Sequence, residues 1–135
     1  MDCVFCKIAN GEIPSATLYE DEDFRVVLDI GPASFGHALV LPKKHFPNIY
    51  ELPEDITSRA FVLAGKTAEA LKQGLNADGM NILQNNGEQA GQSVFHFHIH
   101  VIPRYNGDQV GLTWESGSLD ESDKKESVRK VKQFM

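Results

Sequence analysis

Long apolar runs are missing from this chain of 135 residues, and no stretch approaches the roughly 18 residues a membrane-spanning helix needs. A basic-then-apolar leader is also missing at the N-terminus, so the expected compartment is the cytoplasm. Positive charge is in deficit: 13 Lys and Arg against 19 Asp and Glu leave a net charge of −6. A nucleic-acid backbone binder needs a basic face, so that class is excluded. A small anionic ligand is not excluded, because backbone N–H groups and a few placed imidazoles hold phosphate locally. Cysteine occurs only twice, both times within Cys3-Val4-Phe5-Cys6. In a reducing compartment that spacing points to metal or redox chemistry rather than a structural disulfide. A thioredoxin-like role needs a strand before the motif and a long helix after it, and neither fits at this end of the chain. The single tryptophan, Trp114, sits in a stretch that otherwise makes a poor core.

What the chain does have is enough apolar residue for one domain, 41% of the total, and a concentrated set of histidines. Phe95-His96-Phe97-His98-Ile99-His100-Val101-Ile102-Pro103-Arg104 alternates imidazoles with bulky apolar residues. Period two predicts a β-strand with Phe95, Phe97, Ile99 and Val101 in a core and three histidines on the other face. Pro103 lacks an N–H, so the strand is expected to end there or to lie at an edge. Three uses of such a face compete. It can be a solvated surface, a metal site built from imidazoles, or a phosphoryl-transfer site with one neutral imidazole as nucleophile. Spacing alone does not separate the last two.

Around this stretch the pattern reads as an α+β fold. Cys3-Val4-Phe5-Cys6 opens a short helical turn stopped by Asn10-Gly11. Thr17–Glu20 and Phe24–Asp29 form a hairpin about the acidic turn Asp21-Glu22-Asp23. Ala38–Pro42, preceded by Gly36, is apolar on both faces and is predicted to be central. Pro53 at the first helical position starts a long helix whose stripe is Ile56, Ala60, Ala64, Ala68, Leu71 and Leu75, ended by Gly74 through Gly79. Met80–Asn85 is a fourth strand, and Asn86–Gly91 a tight connection leading to an antiparallel histidine strand. Val128, Val131 and Phe134 mark a weak helical stripe at the end. The expected organisation is one domain over 1–135, with its core in 1–105 and a variable segment in 106–135.

His96-Phe97-His98-Ile99-His100-Val101-Ile102 resembles the signature of the histidine triad family at every position. The resemblance extends to Asn85-Asn86-Gly87, Gly91-Gln92-Ser93-Val94, Leu28-Asp29-Ile30, Gly36-His37 through His45, and Cys3-Val4-Phe5-Cys6-Lys7-Ile8. All five histidines fall on matched positions. The resemblance implies a five-stranded antiparallel sheet with one long and one short C-terminal helix, paired across a two-fold axis into a dimer with a continuous sheet. It also implies a nucleotide hydrolase acting through a covalent nucleotidyl-histidine and needing no catalytic metal.

By position, His98 is the implied nucleophile, its other ring nitrogen held by a backbone carbonyl, plausibly that of His100. His100 and the N–H of Ser93 stabilise the phosphoryl oxygens, and His37 and His96 orient the cluster. Asp29 and Ile30 form the nucleoside pocket, Asn85 contacts phosphate and sugar, and Gly91, Gln92 and Ser93 lie by the phosphate and leaving group. Cys3, Cys6, His45 and His96 match the ligands of zinc-bearing members, where the site is closed and structural. Asn85 and Ser93 resemble the Hint branch, which hydrolyses nucleoside phosphoramidates to AMP. Pro103-Arg104 and Ala90-Gly91-Gln92 also occur in the branch that hydrolyses diadenosine polyphosphates. A nucleotide- or zinc-binding regulatory module with vestigial chemistry is the reading from a different class. In related dimers the C-terminal segment approaches the partner's active site, and Trp114 either does so here or packs locally.

Overall fold

Five strands form one antiparallel sheet in the order β1-β2-β3-β5-β4, where β1 is Thr17–Glu20, β2 Phe24–Leu28, β3 Ala38–Pro42, β4 Gly79–Leu83 and β5 Ile99–Arg104. Three helices accompany it: α1 (Val4–Ala9), α2 (Glu54–Leu75) and α3 (Glu121–Lys132). These elements come from a computed structural model, which describes residues 2–135. No helix among the described residues is long and apolar enough to cross a membrane.

The central place of β3 follows from its composition. Every residue from Ala38 to Pro42 is buried, because alternate side chains serve two different cores. Ala38 and Val40 join Val26, Ile99 and Val101 beneath Ala60, Ala64 and Leu71 of α2. Leu39 and Leu41 join Val27 on the opposite face, beneath Ala9, Phe5 and Ile8 of α1. Alanines at 60 and 64 let α2 lie close on the sheet, and Ile56, Ala68 and Leu75 complete the expected stripe as partly buried residues. Thr67 joins them although polar, because its hydroxyl donates to Leu63 O at 2.8 Å. Pro53 caps this helix rather than opening it, and the helix runs through Gly74 to a left-handed cap at Asn76. Gly36 has φ +89°, and a Cβ there would collide with the Leu75 side chain, so only glycine brings the β3 entry this near α2.

The histidine stretch departs from period two. Its strand begins only at Ile99; His96, Phe97, His98 and Ile99 are all buried in succession, and Phe95 is half exposed. The segment is drawn off the sheet by another partner: the Phe97 N–H donates to Phe46 O at 2.6 Å. Pro103 does not end the strand, and β5 is internal, between β3 and β4. The proline is tolerated because β3 pairs with β5 only from Ile99 to Val101, so Pro103 faces the side where β3 has ended. There its carbonyl accepts the Ser34 hydroxyl at 2.5 Å. The connection before the stretch is also less tight than expected, with a 3₁₀ turn at Glu88–Ala90. In the β1–β2 turn, Asp21 is more than solvated: one oxygen accepts the N–H groups of Asp23 and Phe24, each at 2.8 Å.

Candidate active site and metal centre

Both clusters of chemistry lie on the α1 face of the sheet. Helix α1 brings its cysteines to the histidine stretch. Cys3 is the N-cap of α1, its sulfur accepting the Cys6 N–H at 3.4 Å. Cys3 Sγ lies 3.6 Å from His96 Nδ1, and Cys6 Sγ lies 3.4 Å from the same nitrogen and 3.3 Å from His45 Nδ1. The four donor atoms lie within 4.8 Å of one another. A tetrahedral zinc with bonds of ~2.3 Å to sulfur and ~2.0–2.1 Å to nitrogen puts S and N ~3.6 Å apart, so the cage has the right size. His96 is already in the ligating tautomer: its Nε2–H donates to Pro42 O at 2.8 Å, which leaves the Nδ1 lone pair facing the sulfurs. Burial holds its pKa down to about 4, so the ring is neutral. Burial, reinforced by the Cys3 thiol, pushes Cys6 up to about 11, so Cys6 keeps its proton until a cation displaces it. These residues fit a closed metal site.

The second cluster is a chain of hydrogen bonds that fixes three tautomers. His98 Nδ1–H donates to His96 O at 2.7 Å, so the Nε2 lone pair is free. The carbonyl is that of His96 rather than His100, and residues 96–98 lie outside the strand, which begins at Ile99. The Ala33 N–H donates to His37 Nδ1 at 2.9 Å, which forces the His37 proton onto Nε2. That Nε2–H donates in turn to His100 Nδ1 at 2.9 Å, leaving the His100 proton on Nε2. Asp29 Oδ2 is 3.6 Å from His37 Nε2, while Oδ1 accepts the Gly31 N–H at 2.8 Å. Asp29 is thus both turn former and part of the histidine cluster. Asp29, His37 and His100 also have the proximity of a metal triad. The Ala33 N–H argues against that use, since it occupies the lone pair whose protonation would free His37 Nε2 for a metal.

Burial lowers the pKa of His37 and His98 and holds His100 down to about 4. All three rings are neutral near pH 7. The His98 and His100 ring centres are 4.9 Å apart, and the Phe5 and His98 ring centres are also 4.9 Å apart with their planes at 87°.

Of the remaining sequence-predicted residues, Ile30 is almost wholly exposed beside Asp29, Ser93 is exposed, and Asn85 is half-buried near Gly91. Gln92 is turned inward: its amide accepts from Gly87 N–H at 2.8 Å and donates to Pro47 O at 2.7 Å and Val94 O at 3.1 Å. It ties the loop together, and what faces outward from Gly91-Gln92-Ser93 is its neighbours. Sequence reasoning missed two contributors, the Ala33 N–H and the Phe5 ring. Phe5 carried a signal, because it lies between two candidate ligands on the same helical turn.

The HIT domain family matches residues 10–107. The chain belongs to that family. Among curated HIT proteins, it is 47% identical to the protein hit of Bacillus subtilis over 120 residues, 88% of this chain and 83% of that one. It is 40% identical over 117 residues to the adenosine 5′-monophosphoramidase of Schizosaccharomyces pombe, 86% of this chain and 85% of that one. An adenylylsulfatase of Arabidopsis thaliana is 42% identical over 118 residues, 87% of this chain and 58% of that one. A HIT family crystal structure from Bacillus subtilis superposes with a TM-score of 0.93 at 40% identity, covering 100% of this chain and 98% of that one. A zinc-bound histidine triad protein from Mycobacterium smegmatis superposes with a TM-score of 0.78 at 37% identity, covering 100% and 99%. The Bacillus score carries information about the C-terminus. Residues 1–108 are four-fifths of the chain, and a match confined to them scores no higher than four-fifths, so part of segment 109–135 superposes as well.

Proposed function

We propose that this HIT protein hydrolyses nucleoside phosphoramidates, releasing AMP from an adenosine 5′-phosphoramidate through a nucleotidyl intermediate on His98. The observation that carries the reading is the tautomer of His98: neutral, Nδ1–H held by a carbonyl, Nε2 lone pair free. The name of the Schizosaccharomyces pombe relative supports the substrate class.

In the first step Nε2 attacks the α-phosphorus in line, the phosphorus–nitrogen bond of the substrate breaks, and the departing amine takes a proton from solvent. The His98 ring then carries the positive charge, and its Nδ1–H bond to His96 O strengthens. His100 Nε2–H and the N–H of Ser93 are the donors for the phosphoryl oxygens as charge shifts onto them. His37 positions His100. Water attacks phosphorus in the second step and gives up a proton to solvent, the bond to Nε2 breaks with its electron pair returning to the neutral ring, and AMP leaves. Asp29 and Ile30 hold ribose and base, with Asn85, Gly91 and Gln92 shaping the phosphate and leaving-group side.

Zinc is the metal suited to Cys3, Cys6, His45 and His96; with all four positions filled by protein it supplies folding energy and orientation, not catalysis. The chain is read as one cytoplasmic domain, with 106–135 as its variable segment, and as a homodimer. Strand β4 supports pairing, since it lies at a sheet edge with Ile82 half exposed, and a second copy would extend the sheet there.

The test is AMP release from adenosine 5′-phosphoramidate by wild type and His98→Ala, with diadenosine polyphosphate run in parallel. Release that disappears in the variant supports the reading. Faster turnover of diadenosine polyphosphate keeps His98 and overturns the substrate class. AMP binding with turnover of neither compound overturns the enzyme reading in favour of a regulatory module.

A further inference from the structure

The loop that ends in Ser93 has little of its own to hold it in one shape. Gly87 and Gly91 take φ of +93° and +95°, and the residues between them are exposed. Glycine turns of that kind leave a free loop many alternatives. Two side-chain amides remove them. Gln92 is only 3% exposed, and the Gly87 N–H donates to its Oε1 at 2.8 Å. That bond fixes which end of the amide is oxygen, so Nε2–H₂ faces Pro47 O at 2.7 Å and Val94 O at 3.1 Å. The bond to Val94 O bridges across Ser93, while the Gln92 backbone N–H closes on Gly87 O at 3.1 Å. Asn86 ties the other end of the loop. Its Oδ1 accepts the Ile49 N–H at 2.8 Å, and its Nδ2 donates to Gln84 Oε1 at 2.6 Å.

Both tethers end on one short segment, 46–49. Phe46 and Ile49 anchor that segment by packing against the α2 core. A third bond runs from it to the histidine stretch, since Phe46 O accepts the Phe97 N–H at 2.6 Å. The Phe97 N–H and His96 O belong to one planar peptide unit. His96 O is the acceptor that holds the His98 ring, at 2.7 Å. Segment 46–49 thus grips the support of His98 through Phe46, and the loop through Pro47 and Ile49. Among the described residues no backbone carbonyl takes the Ser93 N–H, which leaves it available to a ligand.

We propose that Gln92 and Asn86 are positioning residues. They fasten the loop to the segment that carries the His96–Phe97 peptide, and so set the Ser93 N–H at its working distance from the His98 ring. This assignment rests on the hydrolysis proposed above, and it turns the Gln92 side chain away from the leaving group. The precision matters, because a misplacement of ~1 Å near the reacting atoms costs roughly 10²-fold in rate.

The test compares Gln92→Leu, Asn86→Leu and Asn86→Asp in the full chain. AMP release is followed from two adenosine phosphoramidates, one losing ammonia and the other an alkylamine. Gln92→Leu is expected to lower kcat roughly 10²-fold on both compounds and to leave KM within about threefold. Asn86→Leu should lower kcat in the same way. Asn86→Asp keeps the acceptor for the Ile49 N–H and should restore kcat to within about tenfold. A Gln92→Leu loss that differs by more than about tenfold between the two amines would place Gln92 on the leaving group and overturn the proposal. Wild-type kcat in Asn86→Leu, or no rescue by Asn86→Asp, overturns it too. Should Gln92→Leu fail to fold, the Asn86 pair, at a half-buried site, decides alone.

A second arm uses AMP binding without turnover, read by NMR of the Ser93 backbone amide. AMP should shift that amide in wild type, and both leucine variants should bind AMP with the shift lost. A shift that persists in them overturns the positioning role. If wild type hydrolyses neither compound but the shift still requires Gln92 and Asn86, the hydrolysis reading fails and the role of the two amides stands.

Discussion

Replacing His37 by leucine or by glutamine tests the tautomer chain. In the structure the His37 Nε2–H donates to His100 Nδ1, and that bond alone fixes the His100 proton on Nε2. Leucine removes the donor and leaves a largely buried ring nitrogen unpaired, a cost of about 1–3 kcal/mol. His100 is then free to carry its proton on Nδ1, which presents a lone pair to the phosphoryl oxygen where a donor is needed. Loss of one such donor lowers turnover by roughly 10²–10³-fold. Glutamine keeps an N–H able to reach Nδ1 and is expected within about tenfold of wild type. The assay is steady-state AMP release from adenosine 5′-phosphoramidate, where the loss should fall on kcat and leave KM nearly unchanged. Nitrogen NMR of the His100 ring provides a second readout, with an Nε2–H tautomer in wild type and a mixture in His37→Leu. Equal activities of the two variants, or a wild-type His100 protonated on Nδ1, would refute the reasoning.

Three further outcomes are expected. Cys6→Ser should remove bound zinc, measured by native mass spectrometry, and lower the melting temperature by an amount that chelation of wild type reproduces; a variant with full metal content sinks the four-ligand cage. Stability should fall with acid between pH 6.5 and about 4, because the unfolded chain takes up protons at its ordinary histidine pKa while folded His100, packed against His98, His37 and Asp29, resists to about 4. That contribution is complete above pH 6.5, so urea midpoints that are equal at pH 7 and pH 5 would contradict it. Gly36→Ala should cost about 1–3 kcal/mol in urea unfolding, since alanine is strained at φ +89° and its methyl meets Leu75; an unchanged midpoint would show that the loop moves freely.

Much of the fold was legible because apolar residues alternate or recur at helical spacing over long stretches. Ala38–Pro42 declared itself a central strand by being apolar throughout, and Ala60, Ala64 and Leu71 set the buried face of α2. The extent of the histidine strand was not legible. Its alternation is regular, but the Phe46 carbonyl and the Pro42 carbonyl, about fifty residues away in sequence, take the Phe97 N–H and the His96 ring off the sheet. Local pattern carries no record of such partners. The clustering of Cys3, Cys6, His45 and His96 was visible only through family resemblance, since three separated segments contribute to it. The inward turn of Gln92 and the part played by Ala33 depend on backbone groups, which every residue possesses and no sequence distinguishes.

His96 divides its duties between two halves of one residue. Its imidazole faces the cysteines, and its carbonyl holds the ring of His98. Only the first half is a matter of side-chain identity. A side chain of similar size without ligating nitrogen could therefore inherit the catalytic half intact, provided that α1 were fastened by some other means such as a larger apolar contact. The three histidines of the motif are then under unequal constraint. On the proposed chemistry, the first answers to the stability of an anchored helix, and only the other two answer to the phosphorus.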